Sequence, residues 1–252
     1  MLVFAGFVPN SPLLMPGVNT TRLSEAEKTL RALHELEEEL YATHPDTIVI
    51  LAESTVTYPE AFSLNVADPY TADLSPVGDL GYHKNYHPDF AFIDGLQRFS
   101  RRNNIPVSLS TDAKLTFSSA VPLHYLTLHA KDVKIVPVAP ASLDGKSHFA
   151  FGSTLKHLVM ESDKRIAVIA AGNMAHIENA QDFDEKMLTY IKERNSSGLL
   201  QLNTDAITAA EDTSYRQLCM LLGVLDGVDV SVEVLAYEKP FGVGYAVVNF
   251  AL

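Results

Sequence analysis

Four apolar runs of this sequence break off into residues able to do chemistry. Phe7 and Val8 lead into Pro9, Asn10 and Ser11; TIVILA meets Glu53, Ser54 and Thr55; RIAVIAA opens into Gly172, Asn173, Met174, Ala175 and His176; VEVLA ends on Tyr237 and Glu238. Gathered on one rim, these present two carboxylates, two amides and an imidazole. Imidazole titrates near neutral pH without help, so His176 is the candidate general acid and base. Strand alternation places Val232, Val234, Ala236 and Glu238 on one face, with Glu233, Leu235 and Tyr237 on the other, and makes Glu53 continue the face of Val49 and Leu51. An acid that continues an apolar face is paired, protonated or bound to a metal. Taken singly, each residue reads most simply as a strand end reaching solvent, a cap, or half of an ion pair; their recurrence at four strand ends favours a shared pocket.

The elements that must position these residues follow from hydrophobic spacing. Strands are expected over 2–8, 47–52, 133–138, 165–171, 231–238 and 243–250, runs too short for helices and rich in β-branched residues. Their continuous hydrophobicity suits a sheet covered on both faces. Between them, apolar residues recur at three and four. One helix opens at Ser24 with Glu27 as its capping box and Ala26, Leu30, Leu33, Leu36 and Leu40 as its stripe, ending before Pro45. Others are expected over 89–101, 119–129, 147–162, 182–194 and 213–225. This alternation predicts one α/β domain over 1–252, with a central, mostly buried mixed sheet flanked by helices. Ligands of open α/β sheets bind beyond the carboxyl ends of the strands, where the polar residues fall. The stretch 54–88, with Pro59, Pro69, Pro76, Gly78 and Gly81, reads as a long irregular excursion.

Other candidates have plainer explanations. His83 and His87 have the four-residue spacing of a helical metal pair, but Gly81 and Pro88 argue against a helix there and leave them as loop residues near a pocket mouth. His124, His129, His148 and His157 lack partners at ligand spacing. Gly242 and Gly244 fit a turn between strands better than a phosphate loop, and Ser11, Ser54 and Ser118 lack a nucleophile-elbow pattern. Cys219, the one cysteine, sits in an apolar helical pattern and reads as a buried small side chain. The acidic run from Glu35 to Glu39 reads as a solvated helix face.

Composition narrows the function classes. Nineteen basic against 31 acidic residues leave a formal charge of −12 over 252 residues, which disfavours nucleic-acid backbones and anionic membranes as partners. No apolar stretch approaches the ~20 residues needed to span a bilayer, and no signal-peptide pattern opens the sequence, so a cytoplasmic protein is expected.

Five segments then carry a resemblance: GFVPNSPLLMPGV at 6–18, HPDTIVILAEST at 44–55, SSAVPLHYL at 118–126, IAAGNMAHI at 169–177, and LCMLLGVLDG with LAYEKPFGVGYAVVNF within 218–250. In this order they resemble the class III extradiol ring-cleavage dioxygenase superfamily, typified by the protocatechuate 4,5-dioxygenase β subunit, and within it the Memo-like branch. The resemblance implies a non-haem metal centre in which two histidines and a glutamate hold Fe(II) for a catecholic substrate and dioxygen, with a further histidine as acid and base. Here the first family histidine falls on Asn10 and the second on Glu53, the acid before the acid/base histidine on Asn173, and an Asp-His pair on Thr116 and Phe117. His176 and Glu238 stand as the family has them. The implied ligand set is therefore Asn10, Glu53 and Glu238, with Asn173 and Ser54 behind it. Such an oxygen-only set favours Mg, Mn or Ca over Fe(II), and with a divalent ion it sums to zero charge rather than +1. An alternative pairs Glu53 with His176 and leaves no metal. Two functions remain open: a dioxygenase-like enzyme binding a small aromatic or polar ligand, or a non-catalytic relative acting as a binding or structural subunit, in a homo-oligomer or beside a companion chain.

Overall fold

The computed structural model describes residues 1–130, 132–177 and 180–252. In chain order the elements are β1 (Leu2–Val8), α1 (Glu27–Ala42), β2 (Thr47–Leu51), β3 (Phe62–Asn65), β4 (Tyr70–Asp73), β5 (His83–Tyr86), α2 (Phe90–Arg102), β6 (Val107–Ser110), β7 (Lys114–Leu115) and α3 (Phe117–Leu126). There follow β8 (Lys134–Ala139), α4 (Gly145–Glu161), β9 (Ile166–Ala171), α5 (Gln181–Lys192), α6 (Ser196–Leu200), α7 (Thr204–Ala209), α8 (Tyr215–Val224), β10 (Ser231–Glu238) and β11 (Tyr245–Ala251). Eight strands form one mixed sheet in the order β10-β11-β1-β9-β2-β8-β3-β6, and β5-β4-β7 form a small second sheet. The expected single α/β domain is what the chain forms. No helix among the described residues is long and apolar enough to cross a membrane.

Central strands β1, β9, β2 and β8 are parallel, so their carboxyl ends share one rim. Strand β10 is antiparallel to β11, itself antiparallel to β1, and ends on that rim too. Every residue of β2 and β9 is buried, because helices cover both faces. On one face Phe7, Val49, Leu51, Val168 and Ala170 pack with α2, α4, α5, α6 and α8; on the other Phe4, Val8, Ile50, Ile169 and Ala171 pack with α1 and α3.

Helices α4 and α8 run side by side in the same direction, since Gly145 meets Tyr215 and Cys219 while Gly152 meets Met220 and Gly223. Both therefore point their amino ends at the rim. Their approach is backbone on backbone, which glycines 152 and 223 permit. Cys219 is buried in this interface, as expected.

Glu37, expected on a solvated helix face, is instead fully buried and accepts from His129 N–H at 3.2 Å, and three further sequence expectations need correction. The stretch 54–88 is not irregular throughout: β3, β4 and β5 lie in it, and β3 joins the main sheet, antiparallel to β8. Each is four residues long, too short to show a period. The Ser24–Glu27 capping box does not form either, because residues Leu23–Ala26 make a 3-10 turn and α1 begins at Glu27, with Ala26 making no side-chain cap. Third, β10 carries a bulge between Val234 and Ala236. The extra residue reverses the alternation, so Val232 and Val234 pack on the α4 side while Ala236 packs on the α1 side. Glu238 does not share a face with Val232.

Candidate functional site

A cavity of about 470 Å³ opens on the α4 side of the rim. Its floor is the end of β2 at Glu53 and the amino ends of α4 and α8, and its outer wall is the short pair α6 and α7. Leu143, Leu200, Leu202 and Ile207 give it an aliphatic side, and Lys146, Asp212, Arg216 and Gln217 a polar one.

Backbone geometry builds the rim beside it. The Asn10 N–H donates to Asn173 Oδ1 at 3.1 Å, tying the end of β1 to the end of β9. Asn173 N–H donates to Thr213 Oγ1 at 3.0 Å, and Thr213 N–H donates back to Asn173 O at 3.1 Å. For this the 213–214 backbone must cross Gly172, where a Cβ would lie 2.6 Å from Ser214 Cα and 2.7 Å from Thr213 O. Only glycine allows that approach.

The loop carrying His176 is clamped from three directions. Asp184 of α5, fully buried, accepts from Ala175 N–H at 2.9 Å and from the Tyr237 hydroxyl at 2.8 Å, and its Oδ2 lies 3.4 Å from Lys239 Nζ. Lys239 also donates to Ile177 O at 3.0 Å, while Met174 N–H donates to Gly244 O and Gly244 N–H to Ala175 O, both at 2.9 Å. The YEKPFGVGY segment thus holds the His176 loop. Burial and the Asp184 carboxylate raise the Tyr237 hydroxyl above its ordinary range, so it stays a donor.

His176 itself has a defined tautomer. Its Nδ1 lies 2.7 Å from Glu211 O, a carbonyl that can only accept, so Nδ1 carries the proton and Nε2 is the free basic nitrogen. Glu211 presents that carbonyl from a left-handed turn at φ 52°. Burial pushes the Glu53 carboxyl up from its usual range, against the opposing pull of Arg216 and His176.

Asp212 closes the first turn of α8, accepting from Tyr215 N–H at 2.7 Å and from Ser214 N–H at 2.9 Å. Burial nevertheless pushes its carboxyl up to about 7. The folded state thus favours the protonated acid, and the stability it contributes is full below its ordinary value of 3.8 and is lost as pH rises to about 7. Asp212→Asn keeps an acceptor without the charge. It is expected to exceed the parent by about 1–2 kcal/mol near pH 8, after solvent screening, with the difference closing near pH 4. Urea melts of both proteins at the two pH values check this, and a pH-independent difference refutes it.

The expected metal set does not come together. Glu238 Oε1 accepts from Thr29 N–H at 2.8 Å and Thr29 Oγ1 at 2.7 Å, capping the amino end of α1 on the opposite side of the sheet from the cavity. This is the cap that α1 lacks locally. Glu53 stays on the α4 side at the end of β2, whereas Glu238 ends β10, with β11, β1 and β9 between the two strands and the β10 bulge turning Glu238 to the α1 face. Asn10 is buried and engaged at the rim through its backbone. Ser54 Oγ accepts from Val56 N–H at 3.3 Å in a local turn. Among the described residues no three His, Cys, Asp or Glu side chains are grouped to hold a metal ion. Nor do Glu53 and His176 form an ion pair within 4 Å among the described residues. The donors therefore do not fit the Fe(II) triad that the resemblance implied.

Sequence reading missed Asp184, Arg216, Asp212 and Gln217. Asp184 lies in an ordinary amphipathic helix with no local sign of its role, whereas Asp212, two residues before a helical run, carried a readable capping signal.

Comparisons with known proteins agree with this architecture. A family model described as the catalytic LigB subunit of aromatic ring-opening dioxygenase matches residues 5–248. Protein CA_C1420 of Clostridium acetobutylicum is 23% identical over 261 residues, covering 96% of this chain and 56% of that protein. The chain thus spans about half the length of that curated relative. The crystal structure of uncharacterized protein JW3007 from Escherichia coli K12 superposes with a TM-score of 0.69 at 17% identity, covering 99% of this chain and 100% of that one, and so shares the fold.

Proposed function

Because the chain belongs to the LigB family of aromatic ring-opening dioxygenase catalytic subunits, we propose that it is a dioxygenase-like protein that binds a small polar or aromatic ligand in the rim cavity and handles it by proton transfer, with a ligand set altered from the ring-opening triad. The observation that carries this reading is the separation of the two carboxylates: Glu53 faces the cavity while Glu238 caps α1 across the sheet.

What remains at the cavity and on the rim beside it suits acid–base work. His176 offers Nε2 as a base, with its tautomer set by Glu211 O. Glu53 stands beside it as a carboxyl that desolvation raises from its usual range, against the pull of Arg216 and His176. A ligand hydroxyl reaching His176 would lose its proton to Nε2, with Glu53 beside it as a second polar contact. The binding-subunit alternative keeps the same cavity without turnover.

The test is metal analysis of protein prepared anaerobically with Fe(II), together with oxygen uptake on catechol. Substoichiometric metal and no oxygen uptake are expected. Glu238→Ala is expected to lower stability by about 1–2 kcal/mol through loss of the α1 cap, without altering metal content. One equivalent of metal, lost in both Glu53→Ala and Glu238→Ala, overturns the reading.

A further inference from the structure

We propose that the cavity binds a small organic acid, its carboxylate held by Arg216, Lys146 and the Gln217 amide at the paired amino ends of α4 and α8, and its body lying on the aliphatic side formed by Leu202 and Ile207. This rests on the rim cavity being the binding site and names the ligand class.

Geometry supplies the first argument. Two helices of 17 and 10 residues run parallel and end at one cavity, so the positive ends of their dipoles add there. The second comes from an unsatisfied group. Gln217 lines the cavity, is 1% exposed, and its buried Nε2 has no hydrogen-bond partner in the structure. An amide donor without an acceptor at a cavity wall is open to an oxygen partner that the chain itself does not supply.

Charge completes the case. Lys146 and Arg216 line the cavity, and neither forms an ion pair among the described residues. Four carboxylates share the wall, but two are already answered by helix donors: Asp144 accepts from Ser147 N–H at 2.9 Å, and Asp212 from Ser214 and Tyr215. Glu211 and Glu53 are both exposed, so solvent screens their charges. An amine in the same place would face two unpaired cations. An inorganic anion would leave the aliphatic side uncovered, which favours an organic acid.

Three probes with one chain and different heads test this by calorimetric titration of the whole protein: hexanoate, hexanol and hexylamine. Hexanoate is expected to bind with one-to-one stoichiometry, roughly tenfold or more tighter than the other two. Arg216→Gln, at an exposed position, is expected to weaken hexanoate about tenfold and leave hexanol unchanged, whereas Leu202→Ser weakens both. Tighter binding of hexylamine, no hexanoate binding up to about 10 mM, no effect of Arg216→Gln in a folded variant, or inorganic phosphate binding as tightly as hexanoate each overturns the proposal. Failure here is separable from failure of the proton-transfer reading, because stoichiometric metal would sink that reading while leaving the hexanoate result intact.

Discussion

Gly152→Ala destabilises the protein by about 2–4 kcal/mol, even though alanine is the better helix former. The added Cβ would stand 2.0 Å from Met220 O and 2.9 Å from Met220 C. These are backbone atoms and cannot rotate aside, so α4 and α8 must separate along their length. That separation loosens Phe151, Leu155, Leu218 and Leu221, all fully buried. Helix propensity returns about 1 kcal/mol, and overpacking against backbone exceeds it. Gly223→Ala repeats the effect, since its Cβ would lie 2.2 Å from Phe149 O. Gly95→Ala in α2 is the control: the nearest atom to its Cβ is Leu158 Cδ1 at 3.3 Å, the flexible end of a side chain. Denaturant midpoints decide the matter; if Gly95 and Gly152 variants shift alike, the backbone-contact account is wrong.

Asp184→Ala is the second large effect, with an expected loss of about 3–5 kcal/mol. Removing the carboxylate strands the Ala175 N–H and the Tyr237 hydroxyl, and leaves the Lys239 ammonium, only 16% exposed, with the Ile177 carbonyl in place of its counter-charge. A buried donor without its acceptor bears the full cost of desolvation, and a cation bears more. Asp184→Asn retains an oxygen acceptor and sheds only the charge, so it is expected to lose about half as much. Because the 172–177 loop depends on this clamp, the His176 ring should change environment as well. Thermal unfolding measures the first effect, and the imidazole resonances of His176 the second. Unperturbed resonances in a folded Asp184→Asn protein would separate the clamp from the site.

Much of the architecture was legible because its signals are local. Apolar runs such as TIVIL and IAVIAA can satisfy both covered faces only as central strands, and polar residues directly after them mark the rim. Glu53 was legible for the same reason, since β2 is regular and alternation runs unbroken from Val49. Glu238 was not. Its expected face followed from an unbroken period of two, and a bulge set by the pairing of β10 with β11 reversed it. Of the plainer readings weighed for such a strand-end acid, the cap is the one the structure shows, and its partner Thr29 lies 209 residues away. The Ser24–Glu27 box failed for a related reason: with Glu238 available to Thr29, α1 begins three residues later without a local cap.

The six longest strands and the longer helices between them, the covered sheet and the polar residues that follow its strands are properties of short stretches of chain, and the sequence by itself determined them. Tertiary structure alone decided on which side of the sheet each carboxylate emerges, which helix ends converge on the cavity, and which buried acid holds the His176 loop. The reason is that side-chain direction in a strand depends on register with its neighbour, and a buried charge depends on its partners. Both are set by segments far apart in the chain, so no window of sequence contains them.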